Sequence, residues 1–464
     1  MSENFSETKA RGFDLKGKNA RVHTEVIAGL TTFLSIAYVL FLVPQTIAGG
    51  DSALYNGVYT ASCIAAFAGT LLMGLLANLP IAVAPSIALC SYFSTTIMGD
   101  MGYSYPAALA VVFIAGLIYL LICVCGLRTA INKALPRNLK IAVSAGIGLF
   151  IATMGLKYGN IFNGGKMIDI GAIFEGSSRT YTALMLLVGI LVMGLFARLR
   201  IPGGILCGII ASSALYWGIS AATGMDTLPS VEFSLGNLGT QFGDWLGNSF
   251  GQVFTGGFGE LFSGSESFLK GLLAVGAVVL AYTFIDIFSA AGTILGTAAK
   301  GDLLDKEGNL PEMKKALISD ASATGISAIA GAPGCVASVE SCAGVAENGK
   351  TGLSSVITAV CFILALFLMP FGAFIPAPAY GAALVYVGMM MMSAIKDFDW
   401  GDPTDALPAF VCILAMPLTG SIADGIFLGV IMHVLLKLVT LRLSGLSIAE
   451  TILAVVFILK YLFL

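Results

Sequence analysis

One interruption in this apolar sequence reads Gly331-Ala332-Pro333-Gly334-Cys335-Val336-Ala337-Ser338-Val339-Glu340-Ser341. Proline and glycine prevent a continuous helix here, so we expect extended backbone and then a short helix that begins near Ser338. Glu340 is expected in the first turn of that helix, where free N–H groups lie. In lipid, broken backbone is tolerated only where protein or a polar cavity covers it. The segment is therefore predicted to face a binding cavity.

A second interruption, Asn78-Leu79-Pro80-Ile81-Ala82-Val83-Ala84-Pro85-Ser86, lies in the first half of the chain. Each half is predicted to contain two spans, the broken span, a fourth span and then three more. Interrupted spans at corresponding positions of two halves are typical of transporter binding sites. Because an odd number of spans inverts the second half in the membrane, the two breaks are expected to face each other at the midplane.

The composition is that of a polytopic membrane protein. Of the 464 residues, 57% are hydrophobic and 11% are charged, whereas a soluble domain carries about 25% charged residues. About fourteen all-helical spans of roughly 20 residues fit this length. The formal net charge is −3 and no basic tract is present, so a nucleic-acid partner is not expected. No Walker loop, zinc motif or nucleophile elbow appears, which argues against an ATP-driven pump or a membrane hydrolase. Neither an enzymatic activity nor a bound cofactor is expected.

The distribution of Lys and Arg predicts the orientation. Most of the 24 Lys and Arg residues lie in segments that are inside when the N-terminus is cytoplasmic, as expected for a protein of the cell (inner) membrane. The apolar segment 446–464 is either a fifteenth span or an interfacial helix, and Glu450 and Lys460 favour the second. The predicted spans are 24–48, 58–77, 80–98 (broken), 106–126, 139–157, 181–199, 202–221, 268–298, 312–331, 334–347 (broken), 351–369, 380–395, 404–418 and 420–439.

Two carboxylates lie deep within predicted spans, Asp286 and Glu340. Such residues are costly in a membrane and mark functional sites, although each can instead be a buried structural hydrogen-bond acceptor. An intramembrane carboxylate can bind and release a proton, and it can accept paired N–H donors from a small planar ligand. No Arg or Lys lies within a span near either acid, so a neutral N–H-rich solute fits better than an inorganic anion.

Other ionisable residues lie nearer the predicted span ends. Asp320, Asp424 and Glu347 are interpreted as solvated or capping carboxylates. His23 and His433 are interpreted as interfacial side chains, because a lone histidine at a span edge is typically interfacial.

Seven motifs along the chain resemble the AzgA-like purine permeases of the nucleobase:cation symporter and nucleobase-ascorbate transporter group. The resemblance extends over nearly the whole chain, in order, and is specific for the family rather than for a substrate. The motifs are TEVIAGLTTFL (24–34), NLPIA (78–82), AGIGLFIA (145–152), VES (339–341), GVA (344–346), GKTGL (349–353) and AMPLT (415–419).

This resemblance implies a membrane fold of two inverted seven-span repeats, with a core domain that carries the site and a gate domain that faces it. It further implies proton-coupled import of adenine, guanine or hypoxanthine, with an elevator-type movement of the core in a homodimer surrounded by lipid. The implied domains are a cytoplasmic tail (1–22), the first core half (23–126), the first gate half (127–222), an extracytoplasmic loop (223–267), the second core half (268–369), the second gate half (370–440) and an apolar C-terminal segment (441–464).

Matching the family motifs residue by residue assigns substrate binding and proton coupling to Asp286 and Glu340. The presumed site departs from the family pattern and is less polar. Ser289 stands where a second acid is usual, Cys90 stands where an Asn is usual, and Ser86 replaces a glycine. The predicted substrate-binding residues are Glu340, Asp286, Ser289, Cys90, Ser86 and Ser338, with no catalytic or metal-ligating residue.

Two alternatives to purine import remain at this point. One is a transporter of the same fold for another solute, such as an organic anion bound by facing helix N-termini. The acids at both candidate positions argue against it, because they would repel an anion unless protonated. The other is a sensor or channel that does not alternate between states.

Overall fold

The structure is a computed structural model, and its membrane-spanning part is almost entirely helical. Most of the tail 1–22 and most of the segment 441–464 lie outside the described residues, as does part of the loop 223–267. The described residues are 20–125, 136–159, 177–199, 203–224, 235–261, 268–305 and 310–442, with isolated positions between and beyond them.

The elements of the first half of the chain follow the predicted spans. Wider helical turns extend the second helical span to Ala77 and the broken span to Asp100. The elements are α1 (Val22–Ile36), α2 (Val39–Ala48), α3 (Ser52–Leu72), β1 (Val83–Pro85), α4 (Ile87–Ser91), α5 (Tyr105–Val124), α6 (Arg137–Tyr158), α7 (Ser177–Arg198) and α8 (Gly204–Thr223).

The second half repeats this order after one additional helix. A 3₁₀ segment, Ala365–Phe374, extends the eleventh span. The elements are α9 (Leu235–Asn248), α10 (Phe268–Lys300), α11 (Met313–Ala330), β2 (Cys335–Ala337), α12 (Ser341–Ala346), α13 (Gly352–Leu364), α14 (Ala377–Met392), α15 (Pro403–Thr419) and α16 (Ile422–Val439).

Each of the predicted spans has a counterpart in this order, with the third and tenth spans broken. Among the described residues, 9 helices are long and apolar enough to cross a membrane, and α14 and α15 are shorter apolar helices. The predicted fold class, about fourteen segments in two inverted seven-span repeats, is confirmed.

The two broken spans meet in a short antiparallel sheet. The register pairs Val83 with Ala337, Ala84 with Val336 and Pro85 with Cys335. This pairing satisfies the backbone groups that proline and glycine remove from helical hydrogen bonding, which lipid cannot satisfy. Gly334 allows the turn into β2 because it has φ of +108°, and a side chain there would collide with the Tyr282 hydroxyl. The predicted facing of the two breaks is therefore confirmed.

Two regions differ from the sequence-based expectation. The first span is divided at Ala37 and Tyr38 into α1 and α2. Pro44 has no N–H, so the Leu40 carbonyl lacks its helical hydrogen-bond donor. At the division itself, Leu40 N donates to Ala37 O at 3.2 Å, which forms a tighter turn than that of an α-helix. The predicted loop 223–267 contains α9, whose Trp245 indole donates to Ala330 O at 2.8 Å, so its described part is packed structure.

The spans pack into two groups of helices. In the first group, α1 packs on α12 and α13, α3 packs on α2, α11 and α13, and α5 packs on α10 and α11. In the second group, α14 packs on α6 and α7, and α15 packs on α6 and α16. Gly148 and Gly388 lie where α6 and α14 cross, and a β-carbon at either would collide with the backbone of the other helix. Small residues permit this close approach of helices in a membrane.

Candidate functional site

A cavity of about 500 Å³ lies between the two helix groups. This volume is within the range of pockets for small organic ligands, roughly 300 to 1,000 Å³. The wall contributed by the first group is polar, and the second group contributes mainly apolar and aromatic side chains. The lining includes Thr31, Ser35, Glu340 and Cys342 from the first group and Phe196 and Tyr386 from the second.

Glu340 is the half-buried carboxylate of this cavity wall. The sequence predicts Glu340 in the first turn of the short helix. In the structure it immediately precedes α12. The Tyr38 hydroxyl donates to Oε1 at 2.7 Å, and the Ser338 hydroxyl donates to Oε2. The carboxylate is thus held by one donor on each oxygen.

Asp286 does not line the cavity and is fully buried within the first helix group. Its Oδ2 accepts a hydrogen bond from the Thr324 hydroxyl at 2.7 Å, and the same hydroxyl lies 3.0 Å from Cys335 O in β2. Its Oδ1 has no hydrogen-bond partner among the described residues. Asp286 therefore reaches β2 through Thr324, whereas Glu340 reaches the cavity itself.

Asp320 is a buried acid that the sequence-based interpretation placed wrongly near a solvated span end. It is 0% exposed, and its Oδ1 accepts from Ala337 N of β2 at 2.6 Å. The Tyr119 hydroxyl donates to Oδ2 at 3.3 Å. Asp320 and Thr324 lie one helical turn apart on α11, so both contact β2. The small residues around Asp320 in α11 were a signal of close packing in the sequence, but they did not identify the partner.

The other predicted site residues are not part of the cavity lining that the described residues form. Ser86 precedes α4 and donates its N–H to Gly334 O at 3.2 Å. The buried Cys90 thiol contacts Val43 O at 3.8 Å. Ser289 is half-buried on α10. Their assignment to substrate binding stays a prediction.

The interpretation of His433 as an interfacial side chain is wrong. It is 1% exposed, and its ring nitrogens lie 3.0 Å from Asp405 Oδ1 and 2.6 Å from Glu450 Oε1. Lys437 Nζ lies 2.7 Å from the same oxygen of Asp405. The sequence shows His433 and Lys437 on one face of α16, but Asp405 comes from α15 and Glu450 from the apolar C-terminal segment. This ionic cluster belongs to the second helix group.

The described part of the C-terminal segment packs against α16. Besides Glu450, the Phe457 ring packs against Phe427 in a tilted arrangement, with ring centroids 4.1 Å apart. Most of 446–464 lies outside the described residues, and the choice between an interfacial helix and a fifteenth span stays a prediction.

Comparison with known proteins identifies the family. Residues 23–427 match the permease family. The chain belongs to this family. A putative permease of Methanocaldococcus jannaschii is 36% identical, and the alignment covers 97% of each chain. The adenine permease AdeP of Escherichia coli is 31% identical over 98% of this permease and 96% of the relative. The guanine/hypoxanthine permease PbuG of Bacillus subtilis is 34% identical over 97% and 98%.

These relatives confirm the resemblance to purine permeases that the sequence motifs indicated. They are membrane permeases, and this permease is accordingly a multi-pass membrane transporter and not an enzyme.

Solved structures share the fold of this permease. The transmembrane domain of the cyanobacterial bicarbonate transporter BicA superposes with a TM-score of 0.61 at 14% identity, covering 88% of this permease and 97% of that chain. SLC26A9 superposes with a TM-score of 0.62 at 13% identity, covering 92% and 66%. At this identity the similarity establishes the inverted-repeat fold alone.

Proposed function

We propose that this permease imports a purine nucleobase, or a closely related heterocycle, together with protons. The observation that carries the proposal is Glu340, a carboxylate on the wall of a cavity of suitable size between two helix groups. The names of the relatives AdeP and PbuG, which specify adenine and guanine/hypoxanthine, support the same class of solute.

The chemistry of the cavity suits a planar heterocycle. A carboxylate accepts two N–H donors in a bidentate arrangement, which a neutral side chain does less strongly. Phe196 and Tyr386 supply aromatic surface for a flat ring, and Thr31 and Ser35 supply hydroxyls for its remaining polar atoms. A site that pairs donors with acceptors discriminates strongly against solutes that leave them unpaired.

An organic anion is the alternative cargo, and the cavity disfavours it. Glu340 places negative charge on the wall, and Lys300 is the one cationic side chain of the lining among the described residues. Transfer of an anion toward a carboxylate carries a cost in a medium of low dielectric constant. The fold shared with BicA does not change this argument, because it concerns the backbone alone.

We assign proton coupling to Glu340 and to the buried pair Asp286 and Asp320. Asp286 and Asp320 are fully buried acids within spans, a type of residue that is typical of proton relays in transporters. Both contact β2, Asp286 through Thr324 and Asp320 through Ala337 N. Because β2 leads directly to Glu340, a change of protonation at the pair is transmitted over a few residues to the cavity wall.

The two helix groups are proposed to be the moving parts. The first group contains both breaks and the carboxylates, as a core domain would, and the second forms the facing gate. An elevator-type movement of the core, a homodimer held by the gate, surrounding lipid and a cytoplasmic N-terminus in the cell membrane complete the proposal. The packing of the spans into two groups supports this division.

Thermal stabilisation of the purified protein tests the solute class. The panel contains purines, pyrimidines, xanthines and organic anions, at about pH 6 and about pH 8, and a ligand at 100 times its Kd adds about 2.7 kcal/mol. Stabilisation by a purine, stronger at one pH and lost in Glu340→Gln, is expected. Stabilisation by anions alone would overturn the purine assignment and leave the fold unchanged.

Cys342 provides an independent test of the cavity. It lines the cavity two residues after Glu340 and is partly exposed. In a variant with Cys342 as its single cysteine, saturating adenine or guanine is expected to slow maleimide labelling at least about fivefold, because a bound ligand occludes the thiol. A matched variant that retains the exposed Cys125 alone should be labelled at the same rate with and without the purine. Equal protection at both positions would contradict a ligand in this cavity.

A further inference from the structure

Tyr38 contacts the candidate site from a position that the cavity lining does not include. It lies at the division between α1 and α2, and its side chain is 1% exposed. Its hydroxyl donates to Glu340 Oε1 at 2.7 Å across 302 residues of sequence. The ring is therefore fixed by packing while its polar end reaches the carboxylate of the cavity wall.

We propose that Tyr38 is a positioning residue for Glu340, which fixes the carboxylate in the orientation that binds the N–H donors of the solute. The inference rests on the proposed function and names a determinant of affinity at the same site. Tyr38 acts through Glu340 and is not itself assigned a contact with the solute.

The hydrogen-bond capacity of the carboxylate supports this role. An ionised carboxylate has about four lone-pair sites, and the hydroxyls of Tyr38 and Ser338 occupy one on each oxygen. One acceptor site per oxygen is left, which matches two adjacent N–H donors. A free glutamate side chain loses rotamer entropy when it is ordered on binding, and a buried donor that orders it beforehand removes that cost.

The division of the first span explains how Tyr38 reaches this position. Leu42 N bonds to Tyr38 O at 3.1 Å and Phe41 N bonds to the same carbonyl at 3.2 Å, so the turn after Tyr38 is tightened. Further along, Val43 O contacts the Cys90 thiol of the other broken span at 3.8 Å. The divided span thus contacts both broken spans, and Tyr38 is the residue through which it contacts Glu340.

A purely structural role is the alternative, and Tyr59 provides the matched control. Tyr59 is 0% exposed in the same helix group, and its hydroxyl donates to Ala365 O, also at 2.7 Å. Tyr38→Phe and Tyr59→Phe each remove one buried hydroxyl and its hydrogen bond. They differ in whether the acceptor is the site carboxylate or a backbone carbonyl outside the cavity lining.

The experiment measures uptake of radiolabelled adenine, guanine and hypoxanthine by the full-length protein in proteoliposomes with an imposed proton gradient. Tyr38→Phe is expected to raise KM about tenfold, with kcat changed less than about threefold, because one hydrogen bond to a charged group is lost. Tyr59→Phe is expected to lower the melting temperature similarly while KM stays within about twofold of the wild type. Ser338→Ala, which removes the other donor, should raise KM in the same direction as Tyr38→Phe.

The outcomes separate this inference from the proposed function. Purine uptake by the wild type with an unchanged KM in Tyr38→Phe would overturn the positioning role alone. Equal increases of KM in Tyr38→Phe and Tyr59→Phe would also overturn it, since a general loosening of the helix group would then account for both. Absence of purine uptake and of purine stabilisation in the wild type would overturn the proposed function and this inference together.

Discussion

Glu340→Gln is expected to lower kcat/KM for purine uptake at least about thirtyfold, because removing a partly buried, hydrogen-bonded charge costs roughly 2 to 5 kcal/mol. Glutamine keeps the shape of the side chain, so the fold should be retained. Its amide group has one acceptor oxygen, however, and it can no longer accept paired N–H donors on two oxygens while Tyr38 and Ser338 donate to both. Uptake in proteoliposomes, normalised to the amount of inserted protein, measures the effect.

Glu347→Gln is the matched control for this substitution. Glu347 follows α12 seven residues after Glu340, lines the same cavity and is exposed. The same change of charge at this position is expected to alter kcat/KM less than about threefold, since an exposed carboxylate interacts weakly with its surroundings. Near-normal uptake by Glu340→Gln, or equal losses in the two variants, would contradict the assignment of Glu340 to the site.

Asp286→Asn is expected to lower the rate of proton-driven uptake at least about a hundredfold, while the affinity for the purine changes only a few-fold. Asp286 is fully buried and outside the cavity lining, so its loss should affect the coupling of proton to solute more than contact with the solute. Asparagine is nearly isosteric and can still accept from the Thr324 hydroxyl. The two measurements are uptake under a proton gradient and thermal stabilisation by the purine that the wild type binds.

Thr324→Val accompanies this test, because it keeps the Asp286 carboxyl and removes its hydrogen-bond donor. We expect a partial loss of uptake, about tenfold, as one hydrogen bond to a charged or proton-bearing group is lost. Asp424→Asn, in the first turn of α16 in the second helix group, serves as the control for neutralising an acid at the start of a span. Loss of purine binding in Asp286→Asn as complete as its loss of uptake would place Asp286 in the binding site instead. Unimpaired uptake by Asp286→Asn would show that Asp286 has no role in the transport mechanism.

The positions of the broken spans follow from local chemistry and were predictable. Proline and glycine at 333–334 and at 80 and 85 cannot continue a helix, and lipid tolerates the resulting backbone only when it is paired or covered. Hydropathy then locates the remaining spans, and a carboxylate in an apolar run marks Glu340 as functional. These signals depend on a residue and its near neighbours in the chain, so no partner had to be known.

Asp320 and His433 show where local signals failed. The sequence-based interpretation places both toward span ends, where a solvated side chain is the usual outcome, yet Asp320 lies near the middle of α11 and each residue is buried by elements other than its own helix. The Ala337 N–H reaches Asp320 because β2 folds back onto α11, and Asp405 and Glu450 reach His433 because α15 and the C-terminal segment pack on α16. The burial of a polar group depends on which spans pack together, which hydropathy along one span does not record.

The amino-acid sequence alone therefore specified the membrane class, the spans, their two interruptions and one acid of the cavity wall, because each depends on short-range chemistry in an apolar solvent. Tertiary packing decided three further features. They are the register of β1 on β2, the cavity between the helix groups and the contact of Tyr38 with Glu340. That contact joins residues 302 positions apart, and Asp286 is kept from the cavity by the packing of α10 and α11 behind β2. Periodicity identifies which face of a helix is buried, whereas the choice of partner on that face depends on the shapes of two distant surfaces.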